Sequence, residues 1–322
     1  MLIRLLSDRG FPALLLTVIL AVGLMVFGFL TTDADASHNE LMISHWAFGR
    51  LYGRPTWSLI TGLICIVSSG VLIRMRTQVQ RLLLPSGNSA LLIWLAVLFS
   101  QRDLLLRPDV LSANLAIMAM FILLFSAHDR DRVLSRMFHV GMLLGAAFVL
   151  VGQTALFGVA VCFSLLILRP GNWREWLVPV LGMTMVAVFI CLFLVWRDDP
   201  ISEFRDLMYS SWTVPMTMAD VTVAHLLFSV VLLLTLPHAV QSLTTGSVAE
   251  RNHLLSLLGW ITVSMLCVPL LGLGWQNGVV FAAFPMSVFV ARSLSAMNRW
   301  WLADLLLVAA LAAPFLSNLS PF

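Results

Sequence analysis

The chain has 322 residues, of which 60% are hydrophobic and 11% charged, with a mean hydropathy of +0.96. Soluble domains carry about 25% charged residues, so a water-soluble fold is excluded, and the chain reads as a polytopic membrane protein. The 19 basic residues are all Arg, against 16 acids, for a net charge of +3; this excludes lysine Schiff-base chemistry and a Walker lysine, and it predicts no nucleic-acid partner.

The first segment, "MLIRLLSDRGFPALLLTVILAVGLMVFGFL", has the look of a signal peptide. Its apolar run is too long, and no small-residue cleavage site follows closely, so it is expected to stay as a first helix. Apolar runs near the ~20 residues needed to cross a bilayer then follow one another: 11–31, 57–73, 88–100, 110–127, 137–151, 154–168, 176–196, 221–236, 254–273, 277–291 and 300–316. The fold class expected is all-α, a transmembrane bundle of about 11 helices in one integral domain, 1–322. The four cysteines (Cys65, Cys162, Cys191, Cys267) all fall inside apolar runs and read as small packing residues. Their spacing gives no zinc site.

Arg distribution orients the runs. The N-terminus and the even-numbered gaps hold 13 of the 19 Arg, whereas Arg50, Arg54, Arg102, Arg107, Arg197 and Arg205 lie in the odd-numbered gaps. Cytoplasmic loops carry the excess of Arg, so the N-terminus is expected inside. Ten acids, Asp33 and Asp35 among them, share the Arg-poor outer side. This alternation also argues that the short fifth and sixth runs are two helices, since a single span would invert everything after them.

Two outer loops are long enough to carry structure, 32–56 and 197–220. In the first, "NELMISHWAFGRLYG" spaces its apolar residues as an amphipathic helix lying in the interface does. The second alternates acids, Arg and aromatics and is broken by Pro200 and Pro215. On the inner side, "LRPGNWREW" (168–176) combines a Pro-Gly turn with a helix start. There Asn172 is expected to cap the seventh helix and Glu175 to sit in its first turn, where the dipole favours an acid. Gly141 and Gly145 form a GxxxG pair that predicts a close helix approach.

The segment "VGMLLGAAFVLVGQTALFGVAVCFSLLILRPGNWREWLVPVLG" and the earlier "RPDVLSANLAIMAMFILL" carry a resemblance. They resemble an uncharacterised bacterial family of polytopic membrane proteins, a domain of unknown function. That likeness spans roughly the third to seventh helices and implies a bacterial inner membrane, with no established activity. In plan the chain is also similar to the C-type glycosyltransferases, which use polyprenyl-phosphate sugar donors. Those enzymes keep an acid in the outer loop after the first helix, where Asp33 and Asp35 stand here. "RDLLLRPDVLSANL" (102–115) resembles the polar start of a later helix in that superfamily. The loop after the first helix is shorter than theirs, and the large C-terminal outer domain is missing.

Sugar transfer from a lipid phosphate needs a base for the acceptor proton and cations for the leaving phosphate. The outer-side candidates are Asp33 and Asp35 as catalytic acids, and Arg54, Arg102, Arg107, Arg197 and Arg205 as phosphate ligands. Arg suits phosphate through its planar fork. Asp33 and Asp35 are also able to share one divalent cation, which prefers oxygen ligands; no other cofactor is expected. The bland alternatives are a solvated acidic loop, and local pairing of Arg102 with Asp103 and of Arg107 with Asp109 at the surface, worth little. The leading expectation is therefore a glycosyltransferase-like envelope protein acting on a polyprenyl-phosphate-linked sugar. The competing one is a non-catalytic subunit scaffolding an envelope-biogenesis or secretion complex. A transporter comes third, because acid pairs at the membrane centre and matching broken halves are missing. Partners expected are membrane lipids, polyprenyl phosphate and a membrane-protein complex.

Overall fold

The computed structural model describes residues 11–31, 55–79, 87–101, 104–126, 133–169, 172–196, 223–245, 247–271, 275–297 and 299–319. Among them the chain is all-α, with eleven α-helices and no strand. In chain order these are α1 (Phe11–Thr31), α2 (Pro55–Val79), α3 (Gly87–Phe99), α4 (Pro108–Ser126), α5 (Leu134–Leu150), α6 (Phe157–Leu168), α7 (Trp173–Trp196), α8 (Val223–Thr245), α9 (Val248–Leu271), α10 (Trp275–Ala296) and α11 (Trp300–Leu319). Short 3-10 turns at Leu104–Leu106 and Gly152–Leu156 lead into α4 and α6. The fifth and sixth apolar runs are thus two helices. Among the described residues, four helices are long and apolar enough to cross a membrane: Thr56–Arg74, Pro108–Ser126, Trp173–Phe193 and Asn277–Ala296. The protein is a polytopic transmembrane bundle.

Helix α3 has 13 residues, about 20 Å at 1.5 Å per residue, short of the ~30 Å hydrocarbon core. Protein surrounds it instead of lipid: α3 packs on α1, α2, α10 and α11, and Trp94 and its neighbours from Leu92 to Leu98 are buried. α10 is its central partner and also meets α4, α8, α9 and α11. The peripheral helices turn apolar stripes outward, such as Val18, Val22 and Val26 on α1 and Ile60, Ile64, Val67 and Val71 on α2. That spacing of three and four is one helix face, and here the face meets lipid. Exposed Trp173 and Trp196 mark the two ends of α7, ~35 Å apart along the axis, which suits two interfacial belts.

Aromatic contacts fix the register of the core. Phe121 of α4 stacks on Trp260 of α9, centroids 3.8 Å apart and planes at 10°. One turn further along α4, Phe125 meets His253 edge-on at 5.2 Å. Moving forward on α4 moves backward on α9, so the two are antiparallel. Phe157, the first residue of α6, touches Trp260 and Phe281 of α10 at 6.3 and 5.7 Å. The starts of α4, α6 and α10 therefore point to one end of the bundle.

α5 and α7 run parallel and nearly touch. A Cβ on Gly141 would strike the Pro179 backbone, and one on Gly182 the Phe138 carbonyl. One turn on, a Cβ on Gly145 would lie 2.9 Å from Val186 Cβ. The GxxxG expectation is met, with Gly182 supplying the matching notch. In a membrane, where apolar burial adds little, such close backbone contact is what holds helices together.

At the other end of the bundle the polar contacts are local. Arg136 donates to the Ser126 carbonyl at 2.6 Å and so satisfies the end of α4. Ser247 and Glu250 form a reciprocal capping box at 3.2 and 3.3 Å, and Arg292 of α10 reaches Glu250 at 3.4 Å. Asn172 does not cap α7 through its side chain as expected. Its amide donates to Glu175 Oε1 at 3.0 Å, where Arg169 also donates at 3.1 Å.

Candidate functional site

The end of the bundle where α2, α4, α6 and α10 begin collects buried polar side chains. Ser100 and Gln101 close α3, Asp109 and Asn114 open α4, Thr154 lies in the turn before α6, and Asn277 lies at the start of α10; all are buried. The segment 100–109 shapes this end. Ser100 donates to the Val97 carbonyl at 2.6 Å, and the Gln101 N–H to that of Leu98 at 3.1 Å, which winds α3 to a stop. Leu104, Leu105 and Leu106 then form a 3-10 turn whose side chains are all buried. The turn presses on α2 at Gly62, where a Cβ would sit 2.7 Å from the Leu105 carbonyl oxygen. Only a residue without a Cβ allows the turn this close.

Arg107 follows. Its N–H donates to the Leu104 carbonyl at 3.0 Å, and its own carbonyl receives the Leu111 N–H at 3.2 Å. It therefore stands at the N-cap of α4, with Pro108 at the first helical position, where its missing N–H costs nothing. Arg107 is half-buried, and no described side chain pairs with its guanidinium. In particular Arg107 and Asp109 form no ion pair, which corrects the surface-pair alternative. Asp109 turns inward in the first turn, 4% exposed, and its Oδ1 has no hydrogen-bond partner. The positive end of the α4 dipole favours a carboxylate there. Asn114 is 1% exposed with its Oδ1 also unpartnered.

Just past Arg107, a groove of about 620 Å³ opens between α2, α4 and α5. On α4 it is lined by Ser112, Ala116 and Ala119, on α2 by Ser68 and Val71, and on α5 by Leu143. Positions 112, 116 and 119 fall on one face of α4, and their small side chains leave the hollow. The Ser112 hydroxyl is turned back onto its own helix, accepted by the Pro108 and Asp109 carbonyls, and Ser68 on α2 is the other polar residue in an otherwise apolar lining.

Of the residues expected to act, Arg107 is in this site. Asp33, Asp35, Arg54, Arg102, Arg197 and Arg205 lie outside the described residues, as do the amphipathic stretch in 32–56 and the second outer loop. Pro55, the first described residue of α2, lies about 10 Å along that helix from Gly62 at 1.5 Å per residue. The cation site expected at Asp33 and Asp35 is likewise outside the described residues; among those described, no three His, Cys, Asp or Glu converge. Buried Asp109 is the residue that sequence reasoning missed. Its signals were the apolar Leu104–Leu106 just before it and the Pro-Asp helix start.

Residues 61–316 match the model of the family of unknown function DUF6427. The chain belongs to that family. The DUF6427 match takes in Gly62, the 104–106 turn, Arg107, Asp109 and the groove, together with Arg102, Arg197 and Arg205. Asp33, Asp35 and Arg54 precede it. No curated protein and no solved structure matches the chain, and the likeness of plan to the C-type glycosyltransferases rests on the sequence.

Proposed function

We propose that this protein binds a polyprenyl-phosphate-linked sugar at the outer leaflet of a bacterial inner membrane and transfers the sugar in envelope glycan assembly. In this reading the N-terminus is cytoplasmic and the Arg107 end of the bundle faces outward. The observation that carries it is a half-buried Arg107 at the head of α4 with no described side-chain partner, on a helix that further along lines a mostly apolar groove. An unpaired cation beside a lipid-facing hollow suits an anionic lipid head better than it suits a solvated surface.

The chemistry balances with residues of this chain. The acceptor hydroxyl gives its proton to Asp33 or Asp35 as general base. Its oxygen then bonds to the anomeric carbon as the bond to the phosphate oxygen breaks, and the phosphate leaves with that electron pair. Arg107, with Arg54, Arg102, Arg197 and Arg205, holds the charge that develops on it. Asp109, buried and partly unpartnered, is a carboxylate at this end among the described residues.

The second reading, a non-catalytic subunit of an envelope complex, draws on α7, which packs chiefly on α5 and is 11% buried over Trp173–Phe193. Such a helix offers a long face to a partner. Complementation of a deletion strain separates the two, with surface glycans read by mass spectrometry at matched protein levels. The enzyme reading expects the Asp33→Asn, Asp35→Asn double variant, and Arg107→Gln, to lose one glycan. Full glycan output from the double variant rules out catalysis by these acids.

A further inference from the structure

Asp109 is a buried acid to which the transfer chemistry gives no step. We propose that Asp109 and the last turn of α5 bind a sodium ion, a site that does not depend on the transferase reading. Register, the hydrogen-bond inventory and charge carry it.

Register brings the two together. α4 and α5 are antiparallel: Arg136 in the first turn of α5 reaches Ser126, the last residue of α4, at 2.6 Å. Further along, Leu143 of α5 and Ala116 of α4 line the same groove. Two turns on from each are Leu150 and Asp109, so Asp109 stands level with the last residue of α5. Seven residues bring a helix back to within about 20° of the same face. Asp109 therefore lies on the Ala116 side of α4, in line with Ala113 and Met120, both fully buried. α5 is the helix that packs most extensively on α4.

The groups that meet there are acceptors. Asp109 is 4% exposed, and its Oδ1 has no partner. At the end of α5 the Val151 N–H takes the Ala147 carbonyl at 2.8 Å. Thr154 then closes its N–H and its hydroxyl on the Val151 carbonyl, at 2.9 and 2.8 Å. That leaves the carbonyls of Phe148, Val149 and Leu150, to which no described N–H donates. They form the negative end of the α5 dipole, and it faces a carboxylate. Arg107 does not relieve the conflict: it lies about 200° around α4 from Asp109 at ~100° per residue and forms no ion pair with it. Nor does bulk water. α5 and α6 have 17 and 12 residues, ~25 and ~18 Å, both short of the ~30 Å hydrocarbon core, and the turn joining them is buried at Val151, Gln153 and Thr154. Acceptors held together out of water repel unless a cation comes between them.

The ligand chemistry and the charge select the ion. Carboxylate and main-chain carbonyl oxygens suit hard cations, and carbonyls at the ends of interrupted helices are the groups that hold sodium inside membrane bundles. One carboxylate balances one positive charge. A divalent ion at the same place would leave an uncompensated charge in the bundle.

The test uses the full-length protein in detergent micelles, with choline replacing sodium at constant ionic strength. The wild type should bind radiolabelled sodium saturably. Asp109→Asn should weaken that binding by more than about tenfold, the lower end of what losing a charged partner costs. Glu250→Gln, at the opposite end of the bundle, should bind as the wild type does. A hydrophobic carbodiimide reads the same carboxyl without any variant that has to fold: peptide mass spectrometry should find it on Asp109, with sodium protecting and choline not.

Absence of saturable sodium binding in the wild type overturns the proposal, as does wild-type binding by folded Asp109→Asn. Carbodiimide labelling of Asp109 that sodium leaves unchanged does the same. Protection by calcium as strong as that by sodium would overturn the charge argument and with it the choice of ion.

Discussion

Two helical glycines in this bundle meet opposite surroundings, and substituting each with alanine isolates the contact that positions Arg107. At Gly23 on α1, nothing lies within 4 Å of an added Cβ. Gly23→Ala should therefore show only the helix-propensity gain of alanine, up to ~1 kcal/mol. At Gly62 the Cβ would sit 2.7 Å from the Leu105 carbonyl oxygen and 3.2 Å from Leu111 Cδ1. The leucine methyl can rotate away; the carbonyl belongs to a buried backbone turn and cannot. Ordinary contact begins at 3.4 Å, so the turn must retreat by 3.4 − 2.7 = 0.7 Å. Overpacking of this kind costs ~1–3 kcal/mol, set against the same propensity gain. The two variants should then differ by ~1–3 kcal/mol, with Gly62→Ala the less stable. Equilibrium unfolding in mixed micelles, followed by Trp fluorescence, measures the difference. Gly62→Ala should also weaken polyprenyl-phosphate retention, because Arg107 moves with the turn. Equal stability of the two variants would refute the close packing of Leu105 on α2 and, with it, the placement of Arg107.

Trp260→Ala should cost ~3–5 kcal/mol by leaving a cavity under Phe121, Phe157 and Phe284, and Trp260→Phe should recover much of it in the same unfolding assay. Gly141→Leu should push α7 off α5 through the Pro179 backbone, read as faster proteolysis or greater label access along α7, while Gly158→Ala, whose nearest neighbour would be a leucine methyl at 3.6 Å, should leave both unchanged. Ser247→Ala should lose ~1 kcal/mol by opening the α9 cap. Glu250→Gln should cost less, since it keeps a box acceptor and gives up only the partly exposed contact with Arg292.

The sequence made the helices legible and their neighbours illegible, for one physical reason. Apolar length marks a membrane helix whether lipid or protein surrounds it. Trp173–Phe193 has the higher mean hydropathy, 2.4, yet is 11% buried, while Asn277–Ala296 at 1.6 is 83% buried. Of these two spans the more apolar is the less buried, and α10 at the bundle centre carries small and weakly polar residues that let backbones approach. Hydropathy alone cannot reveal this, and so the central place of the short α3 was not readable. The break "VGQTAL" between α5 and α6 was readable, because Gly152, Gln153 and Thr154 interrupt the apolar run where the 3-10 turn forms. At the site, Arg107 was legible as an outer cation. A surface pair of Arg107 with Asp109 was only an alternative there, and the Pro-Asp helix start marks Asp109 as a first-turn residue without showing that it turns inward.

The central claim is that a lipid phosphate meets Arg107 at the head of α4. An experimental structure of the protein in nanodiscs containing polyprenyl phosphate tests it most directly. The account predicts phosphate density at the Arg107 guanidinium. An Arg107 bound to another side chain, with the lipid phosphate seated elsewhere, would contradict it.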